Sequence, residues 1–433
     1  MKIIQHPRRE DWPEILARPQ LEQRGLEKSV RKIMEAVKKR GDRAVRKYTL
    51  DFDGVKLRKL EVTEKEIREA EKELSAKLKE AIIQAAKNIK KFHEAQKQDI
   101  TVVETMPGVV CWRKSIAIDA VGLYIPGGTA PLFSTILMLG IPATMAGCKE
   151  IILCSPPDIQ GKLHPAILFA AKLVGVKKMF KAGGVQAIAA MTFGTNSIPK
   201  VDKIFGPGNQ YVTAAKQFAQ QEGMAIDMPA GPSEVCVLAD SSANPAFVAS
   251  DLLSQAEHGK DSQVLLISDD PKLISRTLEE LKLQVELLSR NIIATAALEN
   301  SKAILVHDLE EGMAIVNAYA PEHLIIACED DEKLAGKVSS SGSVFLGNFT
   351  PESAGDYASG TNHTLPTNGH ANAYSGVSLD SFVKKVTFQK ISKEGLSNLG
   401  GTIITMADAE GLQAHADAVR LRLSSSTEAL RKR

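Results

Sequence analysis

The chain has almost no net charge. Its 433 residues include 54 Lys and Arg against 52 Asp and Glu, a net charge of +2. That balance argues against an electrostatic nucleic-acid binder, which concentrates positive charge, though a local basic patch stays compatible with it. Cysteine is sparse as well. Cys111, Cys148, Cys154, Cys236 and Cys328 are an odd, scattered set with no C-x-x-C, mostly in apolar stretches. They read as small buried hydrophobes in a reducing compartment, not as disulfides or thiolate metal ligands. The first ten residues hold no apolar core of signal-peptide length, so a cytoplasmic protein is expected. No short repeat or low-complexity segment appears. The stretch from Ala120 to Cys148 lacks charge, but Pro126, Gly127, Gly128, Pro131 and Pro142 interrupt it. A transmembrane helix needs about 20 consecutive apolar residues. A buried strand, a glycine turn and a buried helix fit this stretch better.

What is present is an ordinary globular composition, 44% hydrophobic and 24% charged. At about 150 residues per domain, the length suggests roughly three domains or two large ones. Amphipathic helices are expected at 26–39 and 63–98, the second opened by the capping box Thr63-Glu64-Lys65-Glu66. Short segments then alternate. Strands are expected at 151–154, 178–181 and 203–205, and helices at 165–174, 185–191 and 209–221. The rhythm restarts with strands at 235–239, 264–268, 303–307 and 324–327, and helices at 245–258 and 271–288. Such β–α alternation predicts parallel sheets covered by helices, here in two α/β blocks. From about Gly395 the chain changes character, and 408–433 reads as a charged helical tail.

Three glycine turns link expected strands to helices: Gly122 to Gly128, Ala182 to Gln186, and Gly206-Pro207-Gly208-Asn209. Helix-start amides at such turns can receive phosphate, and α/β sheets bind ligands in the crevice at strand ends. The plain alternative is a set of tight connections without a ligand. The third glycine of G-x-G-x-x-G is replaced by Tyr211, so the dinucleotide fingerprint is incomplete. Asp227 lies where a ribose ligand could stand.

Six of the nine His lie from position 258 onward. Gln255 and His258 share one helical face, a spacing that suits two ligands of one metal or a plain helix end. Ala320-Pro321-Glu322-His323 sets a carboxylate beside an imidazole at a strand entry, suited to acid–base work or to a solvated loop. Asp356 and His363 lie in polar, glycine-flanked loops, and Glu410 and His415 in the tail. Such nitrogen and oxygen donors fit Zn²⁺, Mn²⁺ or Co²⁺. His6, His93, His164 and His307 read as ordinary surface or core residues, and His370 is undecided. Three readings stay open on these residues: a zinc–dinucleotide oxidoreductase, a zinc hydrolase and a non-catalytic metal- or metabolite-binding protein. The second lacks an H-E-x-x-H and leaves the glycine turns unused; the third leaves Glu322-His323 unexplained.

In this order the residues resemble the histidinol dehydrogenase family. The match is tightest from Ile226 to His258, through Ala-Gly-Pro-Ser-Glu and Ser-Gln-Ala-Glu-His. It extends through Tyr-Ile-Pro-Gly-Gly, Gly-Pro-Gly-Asn, Ala-Pro-Glu-His, Gly-Thr-Asn-His and Gly-Leu-x-Ala-His over nearly the whole chain. The resemblance implies two-step oxidation of L-histidinol to L-histidine through the aldehyde, with two NAD⁺, at the end of histidine biosynthesis. It implies one Zn²⁺ per subunit on Gln255, His258, Asp356 and His415, and acid–base roles for Glu322 and His323. By the same resemblance Ser233, His363 and Glu410 join these as substrate contacts. Tyr124, Gln186 and Asn209 become NAD contacts, and Asp227 loses the ribose assignment. The implied architecture is two interleaved, incomplete Rossmann-like domains in a homodimer with shared sites. Residues 1–24 would be an arm, 25–123 with 234–376 one domain, and 124–233 the inserted NAD domain. The tail, 377–433, would reach the partner subunit, carrying Glu410 and His415 to its site.

Overall fold

The computed structural model describes residues 1–19, 25–127, 131–229 and 231–425. Gly128, in the first glycine turn, lies outside them. The chain forms two units, one of residues 1–96 and 118–382, the other of 97–117 and 383–433.

The first unit contains two parallel sheets. The smaller has the strand order Lys178–Lys181, Glu150–Ser155, Ala120–Tyr124, Lys203–Phe205, Ala225–Ile226. Alternate side chains face opposite ways along a strand, so each strand feeds two cores. Leu123, Leu153 and Met179 pack with Ile82, Ile89, Ile136 and Leu139 on one face. Tyr124, Ile152 and Phe180 pack with Val30, Met34, Val37 and Ile188 on the other. The larger sheet has the order Lys2–Gln5, Lys302–Leu305, Gln263–Ser268, Glu234–Ala239, His323–Ala327, Ser343–Leu346, again all parallel. Its strands run apolar on both sides, as Leu265-Leu266-Ile267 shows, because helices cover both faces. Burying each such Leu or Ile contributes about 1.5–3 kcal/mol.

The sheets partition the chain differently from the expected domains. Helices Leu26–Arg40, Asp42–Asp53, Glu64–Glu73 and Ala76–Glu94 supply cores of the smaller sheet. Residues 26–94 and strand Ala120–Tyr124 therefore belong with 124–226, not with 234–376. An apolar stripe says that a helix buries one face; it does not say against which sheet. Lys2–Gln5 is an edge strand, so the expected arm begins inside the larger sheet. The single helix expected at 63–98 breaks at Leu74, and the Ser75 hydroxyl caps the second piece by accepting Leu78 N–H. The capping box at Thr63 is formed, both bonds present.

The second unit has an antiparallel sheet in the order Val383–Ile391, Val109–Ala117, Val102–Met106. Helices Lys393–Ala409 and Gln413–Ser424 follow. The tail is helical as expected through Ser424, its residues 426–433 lying outside the described ones, but 97–117 and 383–391 form a sheet that the sequence pattern did not mark. No described helix is long and apolar enough to cross a membrane.

Candidate active site

Helix Leu309–Tyr319 ends at Ala320, whose backbone is left-handed (φ 50°, ψ 65°). That turn delivers Pro321 and Glu322 to the start of strand His323–Ala327, which lies beside strand Glu234–Ala239. Both side chains are then held by the main chain of Glu234. Its N–H donates to Glu322 Oε2 at 2.9 Å, and its carbonyl lies 3.1 Å from His323 Nδ1. A carbonyl can only accept, so Nδ1 carries the proton and Nε2 is the free nitrogen. Nε2 is buried without a hydrogen-bond partner, 3.5 Å from Asp356 Oδ1 and 3.7 Å from Glu352 Oε1.

These groups cannot all be charged at once. Burial pushes the Glu322 carboxyl up to about 8 and, with Asp356 beside it, Glu352 also to about 8. Burial opposes a charged His323, but Glu322, Asp356 and Glu352 outweigh it and raise the imidazole to about 10. Asp356 is held well below the carboxylate range, against burial, by His323 and His363. Asp356 beside Nε2 thus favours the imidazolium, and a cation held by Asp356 would withdraw that attraction and leave Nε2 able to accept a proton.

His323, Glu352 and Asp356 form a group able to hold a cation, their ligand atoms within 4.8 Å of one another. Of the four residues expected to hold metal, only Asp356 is in it. Gln255 is joined to it indirectly. Its Nε2 donates to Glu352 Oε1 at 2.5 Å, and the other Glu352 oxygen accepts Ser254 Oγ–H at 2.7 Å. That leaves Gln255 Oε1 buried and unpartnered. His258 Nδ1 lies 3.2 Å from Ser233 Oγ. His363 Nδ1 lies 2.9 Å from the Asp356 carbonyl, and its Nε2 lies 3.1 Å from Thr135 Oγ1. Glu410 and His415 belong to the second unit, where both are exposed, and the cluster is assembled without them. The residue missed from the sequence is Glu352. It stands four positions before Asp356 in helix Glu352–Tyr357, a same-face spacing that could have marked it.

Ser233, His258, Glu322 and His363 line an open cleft of about 1970 Å³. One wall follows strands of the smaller sheet, at Pro126, Gly127, 206–209 and 227–229; the other precedes strands of the larger sheet, at Ser233, Ser262 and Glu322. Gly206 is at φ 129°, and a Cβ there would collide with the Tyr124 carbonyl oxygen. Of the three expected NAD contacts, Asn209 lines the cleft, and its Oδ1 caps helix Gln210–Gln221 by accepting Tyr211 and Val212 N–H. Tyr124 and Gln186 are buried behind that wall. The Tyr124 hydroxyl accepts Gly184 N–H at 3.1 Å, and Gln186 Oε1 has no partner. Asp227 pairs with Lys216 and accepts Gly206 N–H, so it fixes the turn. Of the remaining histidines, His164 caps helix Pro165–Leu173, His93 is buried against Ile89 O, and His6 stacks on His307.

A family model described as histidinol dehydrogenase matches residues 16–423. A histidinol dehydrogenase of Bacteroides fragilis is 61% identical over 423 residues, covering 98% of this chain and 99% of its own length. One of Xylella fastidiosa is 53% identical over 399 residues, covering 92% and 93%. The crystal structure of histidinol dehydrogenase from Elizabethkingia anophelis has a TM-score of 0.96 at 55% identity, covering 98% of each chain. With two parallel sheets and a buried acid–imidazole pair beside the cleft, these likenesses define an α/β oxidoreductase. The chain belongs to the histidinol dehydrogenase family.

Proposed function

We propose that the chain oxidises L-histidinol to L-histidine in two NAD⁺-dependent steps, as the last steps of histidine biosynthesis in the cytoplasm. The observation that carries this reading is the Glu322–His323 pair, buried beside a cleft with His323 Nε2 left free. In the first step the alcohol loses a hydride and a proton, giving aldehyde, NADH and H⁺. In the second, aldehyde and water give the acid, a second NADH and H⁺. His323 Nε2 takes the hydroxyl proton, and the Glu234 carbonyl keeps Nδ1 protonated while it does so. Glu322 activates the water of the second step. NAD⁺, when bound, accepts the hydride, with Asn209 as a contact on the cleft wall and Tyr124 and Gln186, buried behind it, as the further contacts the family resemblance implies. The two sheets read as incomplete Rossmann-like domains, one interrupting the other, since 120–226 falls between the edge strand Lys2–Gln5 and the rest of the larger sheet.

Gln255, His258 and Asp356 would hold Zn²⁺, and the donor set fits it. Gln255 Oε1 is a buried oxygen with nothing to bond, and its amide nitrogen is already tied to Glu352. Nitrogen and oxygen ligands without Cys suit zinc with open positions. A bound zinc would fix the imidazole and amino nitrogens of histidinol. Ser233 and His363 orient the substrate from the cleft wall. In a homodimer, Glu410 and His415 would complete the partner subunit's site. Chelation should abolish turnover and Zn²⁺ should restore it. Unchanged turnover in protein verified to be metal-free would remove the metal role.

A further inference from the structure

We propose that Arg18 is a positioning residue for the acid–base pair, acting through Glu234; this rests on the reading of Glu322 and His323 given above. After the short helix Trp12–Ile15, Leu16 packs into the core beneath Leu324 and Ile326. Arg18 then turns its guanidinium toward the starts of two strands. Its Nε lies 2.5 Å from Glu234 Oε1 and its Nη2 2.9 Å from Oε2, a bidentate grip. Nη2 also donates to the Tyr319 carbonyl at 2.7 Å, and the guanidinium lies over the Tyr319 ring, 4.1 Å from its centroid. The backbone N–H of Asn368 completes the cage by donating to Glu234 Oε1 at 3.0 Å.

A buried ion pair like this one contributes little to net stability, because desolvation offsets the attraction. Its location gives it a different use. The side chain of Glu234 is locked by Arg18, and the main chain of Glu234 holds both Glu322 and His323. The Tyr319 carbonyl that Arg18 grips precedes Ala320, a non-glycine residue in left-handed backbone, and Glu322 follows two residues on. One guanidinium thus ties down both chain segments that set the tautomer and aim of His323. Arg18 also lines the cleft, but its guanidinium nitrogens are taken up by Glu234 and the Tyr319 carbonyl, so it acts through them.

The test is steady-state kinetics of the zinc-loaded enzyme with Arg18→Gln, Arg18→Lys, His323→Gln and the core control Leu266→Ala. A misplacement of about 1 Å at a reacting group costs on the order of a hundredfold in rate. Arg18→Gln should therefore lower kcat by about a hundredfold, with both KM values within about threefold and zinc content unchanged. Arg18→Lys keeps one charge but not the fork, and should recover part of the loss. If Arg18→Gln does not fold, Arg18→Lys must still lose about tenfold in kcat. Leu266→Ala, on the next strand, should lower Tm and leave kcat of the folded protein intact. A folded Arg18→Gln with near-normal kcat overturns the inference, as does a loss confined to KM or one matched by Leu266→Ala. If His323→Gln keeps full turnover, the acid–base reading fails and this inference falls with it. If His323→Gln is inactive and Arg18→Gln is normal, only the inference fails.

Discussion

Replacing Glu322 by Gln separates the two oxidation steps. The carboxyl is buried, accepts the Glu234 amide at 2.9 Å and is pushed up to about 8 by burial. Gln keeps an acceptor there and resembles the protonated acid in size. One new N–H group must find a partner, at a cost of about 1–3 kcal/mol if it does not. Against a typical total stability of about 5–15 kcal/mol, the variant should fold. What Gln cannot do is take a proton from water. Loss of a general base costs about 10²–10⁴-fold, or roughly 3–5 kcal/mol of barrier. Oxidation of added histidinaldehyde should fall by that factor, and histidinol oxidation to the aldehyde by no more than about tenfold. Stopped-flow NADH absorbance with each substrate reads both steps, and histidinol should give a first-turnover burst of about one NADH per site. An equal loss in both steps would refute the division of labour between Glu322 and His323.

Three further outcomes are expected. Gly206→Ala should destabilise the fold by about 2–4 kcal/mol, because its Cβ would meet the Tyr124 carbonyl at φ 129°; a urea-melt change under about 0.5 kcal/mol would show that the turn relaxes freely. Asp53 ends helix Asp42–Asp53, where the helix dipole disfavours an anion, and burial pushes its carboxyl up to about 6. With the folded value above the unfolded one, the group costs stability as pH rises from about 4 to 6. Asp53→Asn should therefore raise Tm at pH 7 and not below pH about 4; equal Tm at pH 7 would contradict this. Dimers mixing His415→Ala on one chain with His323→Ala on the other should recover one working site, and no recovery would count against shared sites.

The strands were legible because helices cover both faces of each sheet, so 151–154, 235–239 and 264–268 read as short apolar runs. Glu322-His323 was legible because the two residues are adjacent in sequence and enter one strand. The assignment of helices 26–94 was not, since the faces of Val30 and Ile33 are equally apolar whichever sheet receives them. The pairing of Val109–Ala117 with Val383–Ile391 depends on segments far apart in the chain, and neither shows a clean alternation. Glu352 and Arg18 reach the site only through tertiary contacts: one grips Gln255, the other Glu234. The four-residue spacing to Asp356 is the one local mark of Glu352, and it does not announce the Gln255 amide on another helix as its partner.

The most direct measurement of the central claim is NADH formed per L-histidinol consumed by the zinc-loaded protein with excess NAD⁺. The account predicts two, with L-histidine as the product. A ratio of one with aldehyde accumulating, or no NADH at all, would contradict it.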